Sequence, residues 1–188
     1  QWGIGEFPFY YAQIAPFNYN KGEGKGQNSA YLREAQAKCL GIVPSSGMII
    51  LTDIGDARTI HPMEKETVGN RFAYMALGLT YGKKGFPVTG PLYKSMQIEG
   101  NKIAVSFDEV GKGLTTYRQP LTGFEIASED RVFHPANAHL GKDAQTVVVS
   151  SPEVPHPVAV RYAFKDYVKG CLYNMFGLPV SSFRTDDW

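Results

Sequence analysis

Residues 52–62, TDIGDARTIHP, gather two carboxylates and an imidazole in one short, turn-rich run. Asp53 precedes His61 by eight positions and Asp56 precedes it by five. A histidine acting as general base needs a neutral ring in a fixed tautomer, and a carboxylate that accepts its Nδ1 proton supplies that fixation. The run therefore contains the parts of a base and its orienting acid for hydrolysis. The same residues also have plain structural uses: Asp56 can form an Asx-turn, Asp53 can close a strand end, and His61 can cap a helix. A metal is not expected, because two carboxylates and one histidine lack both a fixed-spacing signature and a fourth ligand. No cofactor motif stands nearby either. The glycine-rich NKGEGKGQN (20–28) lacks the spacing of GxxxxGK[ST] or GxGxxG and reads as a surface loop.

The elements on either side must position this run. FYYAQIAPF (9–17) suits a buried strand, and SAYLREAQAKCLG (29–41) suits a helix. In that helix Ser29 is expected to cap the N-terminus, Leu32, Ala35, Cys39 and Leu40 to form the inward face, and Gly41 to supply a left-handed stop. GMIILTD (47–53) reads as a second buried strand. Beyond the run, Val68, Phe72, Met75, Ala76 and Leu79 recur at helical spacing, with Pro62 at the first helical position and Gly82 as the stop. His61 would then stand at a helix N-terminus, whose dipole favours the neutral ring. The order strand, helix, strand, helix predicts a parallel sheet, which binds ligands at the carboxyl ends of its strands, where this run falls. Two strands do not make a stable sheet alone, so either residues 1–86 dock against the rest of the chain or part of the sheet is missing.

From residue 87 the texture becomes β. KSMQIEGNKIAVSF (94–107) alternates about a hairpin turn at Gly100-Asn101, and 123–127, 145–150 and 157–164 are further candidate strands. An antiparallel sandwich-like module over 87–188 follows, with GLPVSSFRTDDW extended and lying over the other half. Tyr117, Arg118, Arg161 and Tyr162 are candidate sugar contacts, although alternating aromatics are more commonly core or sheet surface. His134, His139 and His156 read as surface or packing residues, and Glu64, Glu66, Asp186 and Asp187 as solvated charges.

Composition narrows the classes. With 188 residues, 43% of them apolar and 20% charged, the chain can bury a proper core. A net charge of +1 with scattered Lys and Arg disfavours nucleic acid as a partner. No apolar run reaches the roughly 18 to 20 residues that span a bilayer, and QWGIGEFPFYY has no basic-then-apolar leader plan. Cys39, expected to be buried, and the distant Cys171 make neither a CxxC motif nor a disulfide framework.

DIGDARTIHPMEKETVGNRFAYMALGLTYG, continuing to GPLY, resembles the C-terminal catalytic block of the sialate O-acetylesterase family, relatives of the SGNH (GDSL-like) hydrolases. FPFYYAQIAPF, NSAYLREAQ, VAVRYAF and LYNMFGLPVSSFRTDDW resemble the same family in the same order, so the similarity spans nearly the whole chain. The resemblance implies an α/β fold: 1–86 as the C-terminal half of a flavodoxin-like (SGNH) three-layer α/β/α domain, and 87–188 as a β-sandwich-like accessory module. It implies a serine esterase, cofactor-free and periplasmic or secreted. Such an enzyme removes O-acetyl groups from sialic acids or related sugars such as acetylated xylan. The family's catalytic histidine falls on His61. Its usual Asp-x-x-His does not carry over, because Arg58 stands three residues before His61. Asp56 is then the first candidate acid and Asp53 the second, and a Ser-His dyad without an acid stays open.

The family's nucleophile lies near the start of the α/β domain in a short glycine- and serine-containing motif, which nothing here matches. Ser29, in GQNSA, fits a helix cap better, and Ser45 and Ser46 precede a strand at the wrong edge. The expected partner is therefore the missing N-terminal half of the same protein carrying the serine, since QWGIGEFPF begins inside a continuous family block. Such a chain alone would be inactive. The alternative is a noncatalytic carbohydrate-binding or structural β-module of a glycan-processing protein.

Overall fold

The computed structural model describes residues 3–19 and 26–188, so most of the glycine-rich run lies outside the described residues. The chain is a mixed α/β protein with few helices and several antiparallel sheets. Strand β1 (Phe9–Ala12) pairs in parallel with β2 (Ser46–Ile49), and helix α1 (Asn28–Cys39) connects them. Helix α2 (Lys65–Met75) follows and runs into a π-helical turn, Ala76–Thr80, with Gly82 at φ +63 closing it as expected. Val68, Phe72 and Met75 of α2 pack on Tyr10, Ala12, Ile49 and Leu51. Gly47 sits under this helix: a Cβ there would stand 2.6 Å from Met75 Sδ. The order strand, helix, strand, helix is thus present, although β1 is shorter than 9–17 and α2 starts three residues after Pro62.

Helix α1 forms where expected but differs from its reading in cap, inward face and stop. Ser29 is not the cap: it lies in the first turn, and Asp166, 137 residues later, accepts its backbone N–H at 2.8 Å and its hydroxyl at 3.0 Å. The inward residues are Ala30 and Arg33, while Leu32 and Ala35 face solvent and Cys39 is half-buried. Gly41 does not turn left-handed. Leu40 stays helical, and its N–H and that of Gly41 close on the carbonyls of Ala37 and Lys38. Gln36 reaches from α1 to β1, donating to Ala12 O at 3.1 Å and accepting from Ile14 N at 2.9 Å. Its side-chain amide thereby satisfies backbone groups that a neighbouring strand would otherwise pair.

The rest of the chain forms two four-stranded sheets. One contains β3 (Leu92–Glu99), β4 (Lys102–Asp108), β9 (Thr146–Ser150) and β8 (Asn137–Leu140), in the order β3-β4-β9-β8. The other runs β12-β10-β6-β7, from β12 (Phe183–Arg184), β10 (Ala159–Tyr162), β6 (Phe124–Ala127) and β7 (Phe133–Pro135). A short pair joins β5 (Leu114–Thr115) to β11 (Tyr173–Asn174). Gly100 at φ +64 makes the expected hairpin turn between β3 and β4. Period-two alternation buries Ile103, Val105 and Phe107 of β4 together with Ile126, Val160 and Phe183 of the other sheet in one shared core. The tail is partly a strand, not only an extended cover. Asp186 is no solvated charge: it is buried and bound by the guanidinium of Arg161, with Nε–Oδ1 at 2.8 Å. Arg161 and the fully buried Tyr162 are therefore core groups, unavailable as sugar contacts. Among the described residues no helix is long and apolar enough to cross a membrane.

Candidate active site

The loop after β2 leaves the carboxyl end of the parallel pair, beside the segment that follows β1. Contact between the two is close at Gly55, where an added Cβ would lie 2.2 Å from Pro16 O. Any side chain there would push the loop off the sheet. Asp56 Oδ1 then accepts the backbone N–H of Arg58 at 2.6 Å and of Thr59 at 3.3 Å, and Thr59 Oγ1 accepts that of His61 at 3.2 Å. These successive side-chain caps give a rigid path from Asp56 to His61. They also hold the Asp56 carboxyl below its ordinary range, chiefly through the Arg58 N–H, aided by the Thr59 N–H and the Arg58 charge.

The structure separates the expected site residues. His61 is exposed and lies four residues ahead of α2, so the helix-dipole argument for its neutral ring loses its geometry. Among the described residues no hydrogen bond reaches its imidazole, from either aspartate or from a serine. Asp53 is buried and bound at both oxygens by Arg71, with Nη1–Oδ1 at 2.9 Å and Nη2–Oδ2 at 2.7 Å. Arg71 Nη1 also donates to Ile50 O at 2.7 Å. Among the described residues no hydrogen bond reaches Asp56 Oδ2, so of the two aspartates only Asp56 retains an unengaged carboxylate oxygen.

Ser29 is held between Asp166 and Arg33 Nη1, buried and away from this loop. Ser46 stands at the opposite end of β2, its Oγ donating to Val43 O at 2.7 Å. Among the described residues no three His, Cys, Asp or Glu side chains gather into a metal-binding group.

Sequence reading missed Arg71, and a signal for it existed. It stands between Val68 and Met75 on the apolar face of α2, where a guanidinium needs a buried carboxylate. Lys169 and Tyr173 were missed for want of any local signal. Lys169 lines a hollow of about 400 Å³ with Asp53, Asp56, Glu64 and Thr67. Tyr173 stands close enough to Asp53 that burial first, and that charge second, push its phenol up to about 12.

No protein-family model matches the chain, and none of the curated proteins matches it. Among solved structures it is similar to XAC1771, described as a novel carbohydrate acetylesterase from Xanthomonas citri, with 37% sequence identity and a TM-score of 0.87. The match covers 96% of this chain and 41% of that one. Both halves and their relative placement are therefore alike in the two proteins, and the chain spans about two fifths of the length of the acetylesterase it matches.

Proposed function

We propose that these residues are the C-terminal portion of a carbohydrate O-acetylesterase, which hydrolyses O-acetyl esters of sialic acid or a related sugar. The observation that carries this reading is the match to a carbohydrate acetylesterase across both halves, with His61 on a braced loop at the carboxyl edge of the parallel strands. The nucleophile is a serine supplied by a segment outside these residues. Its hydroxyl oxygen attacks the acetyl carbonyl while His61 takes its proton, and His61 returns that proton to the departing sugar oxygen. Water, deprotonated by His61, then attacks the acetyl-enzyme, releasing acetate and restoring the serine.

Asp56, through its free Oδ2, orients the His61 ring in the assembled site. Asp53 acts differently, by tying the loop to α2 through Arg71. The solvent-facing Leu32 and Ala35 of α1, together with Phe9, Ile42 and Val43 at the amino end of the strands, offer an apolar surface for the remaining α/β portion.

The test is fluorophosphonate labelling of this chain and of the complete protein, each with and without His61→Ala. The expected result is no adduct on this chain, one serine adduct on the complete protein, and a fall in acetate release of roughly 10⁴-fold or more with His61→Ala. A stoichiometric adduct on this chain that depends on His61 would overturn the division of the site. Acetate release indifferent to His61→Ala in the complete protein would overturn the assignment of the base.

A further inference from the structure

A second hollow of about 530 Å³ lies against the loop hollow, and Lys169 lines both. One wall of the second hollow is formed by Lys169, Gly170, Cys171 and Tyr173. Gly170 N–H donates to Thr52 O at 2.8 Å, and a Cβ on Gly170 would stand 3.0 Å from Thr52 Oγ1, so this wall is pressed onto the strand end that carries Asp53. On its far side Tyr173 and Tyr117 hold their rings 5.4 Å apart and tilted by 58°.

The presentation of Tyr117 is costly. Gln119 N–H closes a turn on Thr116 O at 3.0 Å, and the two central residues, Tyr117 and Arg118, take φ +51 and +65. That is the backbone of a turn normally filled by Asn-Gly, and bulky L-residues enter it against steric resistance. The outcome is a tyrosine ring half exposed over the hollow, with the amide of Gln119 and the hydroxyl of Thr122 along the same lining. Strained backbone that displays an aromatic side chain in a recess is a feature of binding loops.

The chemistry of this lining suits sugar rings, whose C–H faces lie on aromatic faces while their hydroxyls bond to amides and hydroxyls. Its charge suits neutral ones. Among the described lining residues of both hollows Lys169 is the sole cation, and it shares the smaller hollow with Asp56 and Glu64. The guanidinium of Arg71 is consumed by Asp53 and Ile50 O. Among the residues that line the two hollows an anionic sugar would meet carboxylates with no free guanidinium to bind it bidentately, the exposed Arg58 and Arg118 standing outside both linings.

We propose that the Tyr117–Tyr173 recess is a subsite for a neutral oligosaccharide, which holds the rings adjoining the acetylated residue while that residue sits at the His61 loop. The placement of the acetylated residue rests on the acetylesterase reading above. The recess narrows that reading to chain-like neutral glycans in preference to sialic acid.

The test is calorimetric titration of the 188-residue chain with xylohexaose, cellohexaose and mannohexaose, with the matching disaccharides, and with sialyllactose. At least one neutral hexasaccharide is expected to bind, about tenfold more tightly than its disaccharide. Tyr117→Asn, which suits the left-handed backbone, should weaken that binding by about tenfold, while Tyr117→Phe keeps it. Gln119→Ala, on the same rim, provides a second variant should Tyr117→Asn alter the unfolding curve. Absence of binding by all three hexasaccharides, binding indifferent to both variants, or preference for sialyllactose would overturn the proposal.

A complete protein that releases no acetate while this chain keeps Tyr117-dependent binding would sink the hydrolase reading alone. Acetate release that depends on His61, without Tyr117-dependent binding, would sink the subsite alone.

Discussion

Asp53 and Asp56 stand three residues apart in one loop, yet their surroundings give them opposite tasks. Asp53 is enclosed with Arg71, and removing one member of a buried pair leaves the other charge without compensation. Asp53→Asn is therefore expected to lower stability by about 3 kcal/mol, read as a shift of the denaturant midpoint. Asp56 is open to water and braces only its own turn, so Asp56→Asn should leave the midpoint nearly unchanged. In the complete protein Asp56→Asn should still cut kcat by roughly 10²- to 10⁴-fold if its Oδ2 orients His61. A kcat retained in Asp56→Asn and lost in Asp53→Asn at equal stability would transfer the orienting role to Asp53. Tyr173 adds a pH signature to the same neighbourhood. Its phenol is raised to about 12 by burial and by Asp53, so its contribution to stability is complete below pH 10 and disappears as pH rises through about 12. Phenolate absorbance should show this late ionisation, and Tyr173→Phe should remove it.

At the scale of elements, α1 depends on a residue far from it in sequence. Asp166 accepts the N–H of Ser29 in its first turn, and the neighbouring Arg33 is buried with Ser182 Oγ 2.9 Å from its Nε and the carbonyls of Ala163 and Lys165 on Nη2. Burial lowers the Arg33 guanidinium to about 10 while Asp166 raises it, so the charge persists at neutral pH and needs these acceptors. Asp166→Ala is expected to cost about 2–4 kcal/mol, as a lost cap and a less compensated buried cation, whereas Lys38→Ala on the exposed face should cost under about 0.5 kcal/mol. Equal midpoints for the two variants would disprove the anchoring role. The same dependence explains what sequence could and could not disclose. The hairpin at Gly100 follows from period-two alternation, and strands β6, β9 and β10 from short apolar runs bounded by turn residues, signals that are local. The inward face of α1 does not, because an arginine is buried there on acceptors some 130 to 149 residues away, and the apolar stripe faces outward. His61 was singled out by motif resemblance, and its role as base is the proposal made above. The Asp53–Arg71 pair and the Tyr117–Tyr173 recess required the fold, since each joins residues that only long-range packing brings together.

Across the whole molecule, the change of texture near residue 87 marks a change of architecture but not a plane of easy separation. A polar seam crosses it: Gln13 Nε2 donates to Ser181 Oγ at 2.8 Å, Thr52 Oγ1 to Val180 O at 2.9 Å, and Phe17 N–H to Asp166 O at 3.0 Å. Met48 of β2 and Ile50 just past its end, on the side turned away from α2, are buried, and an added Cβ on Gly90 would lie 2.1 Å from Pro179 O and 3.0 Å from Ile50 Cδ1. Separating the halves would strand buried donors and acceptors along this seam and uncover that face of the short parallel sheet. The β-rich half therefore braces the α/β half whether or not it also binds sugar. The chain is expected to unfold in one transition, with equal calorimetric and van't Hoff enthalpies, and Arg33→Met should move that single transition without splitting it. Residues 1–86 expressed alone should show no cooperative transition. Two resolved transitions in the intact chain would mean that the seam does not couple the halves, and the His61 loop would then owe its placement to the α/β half alone.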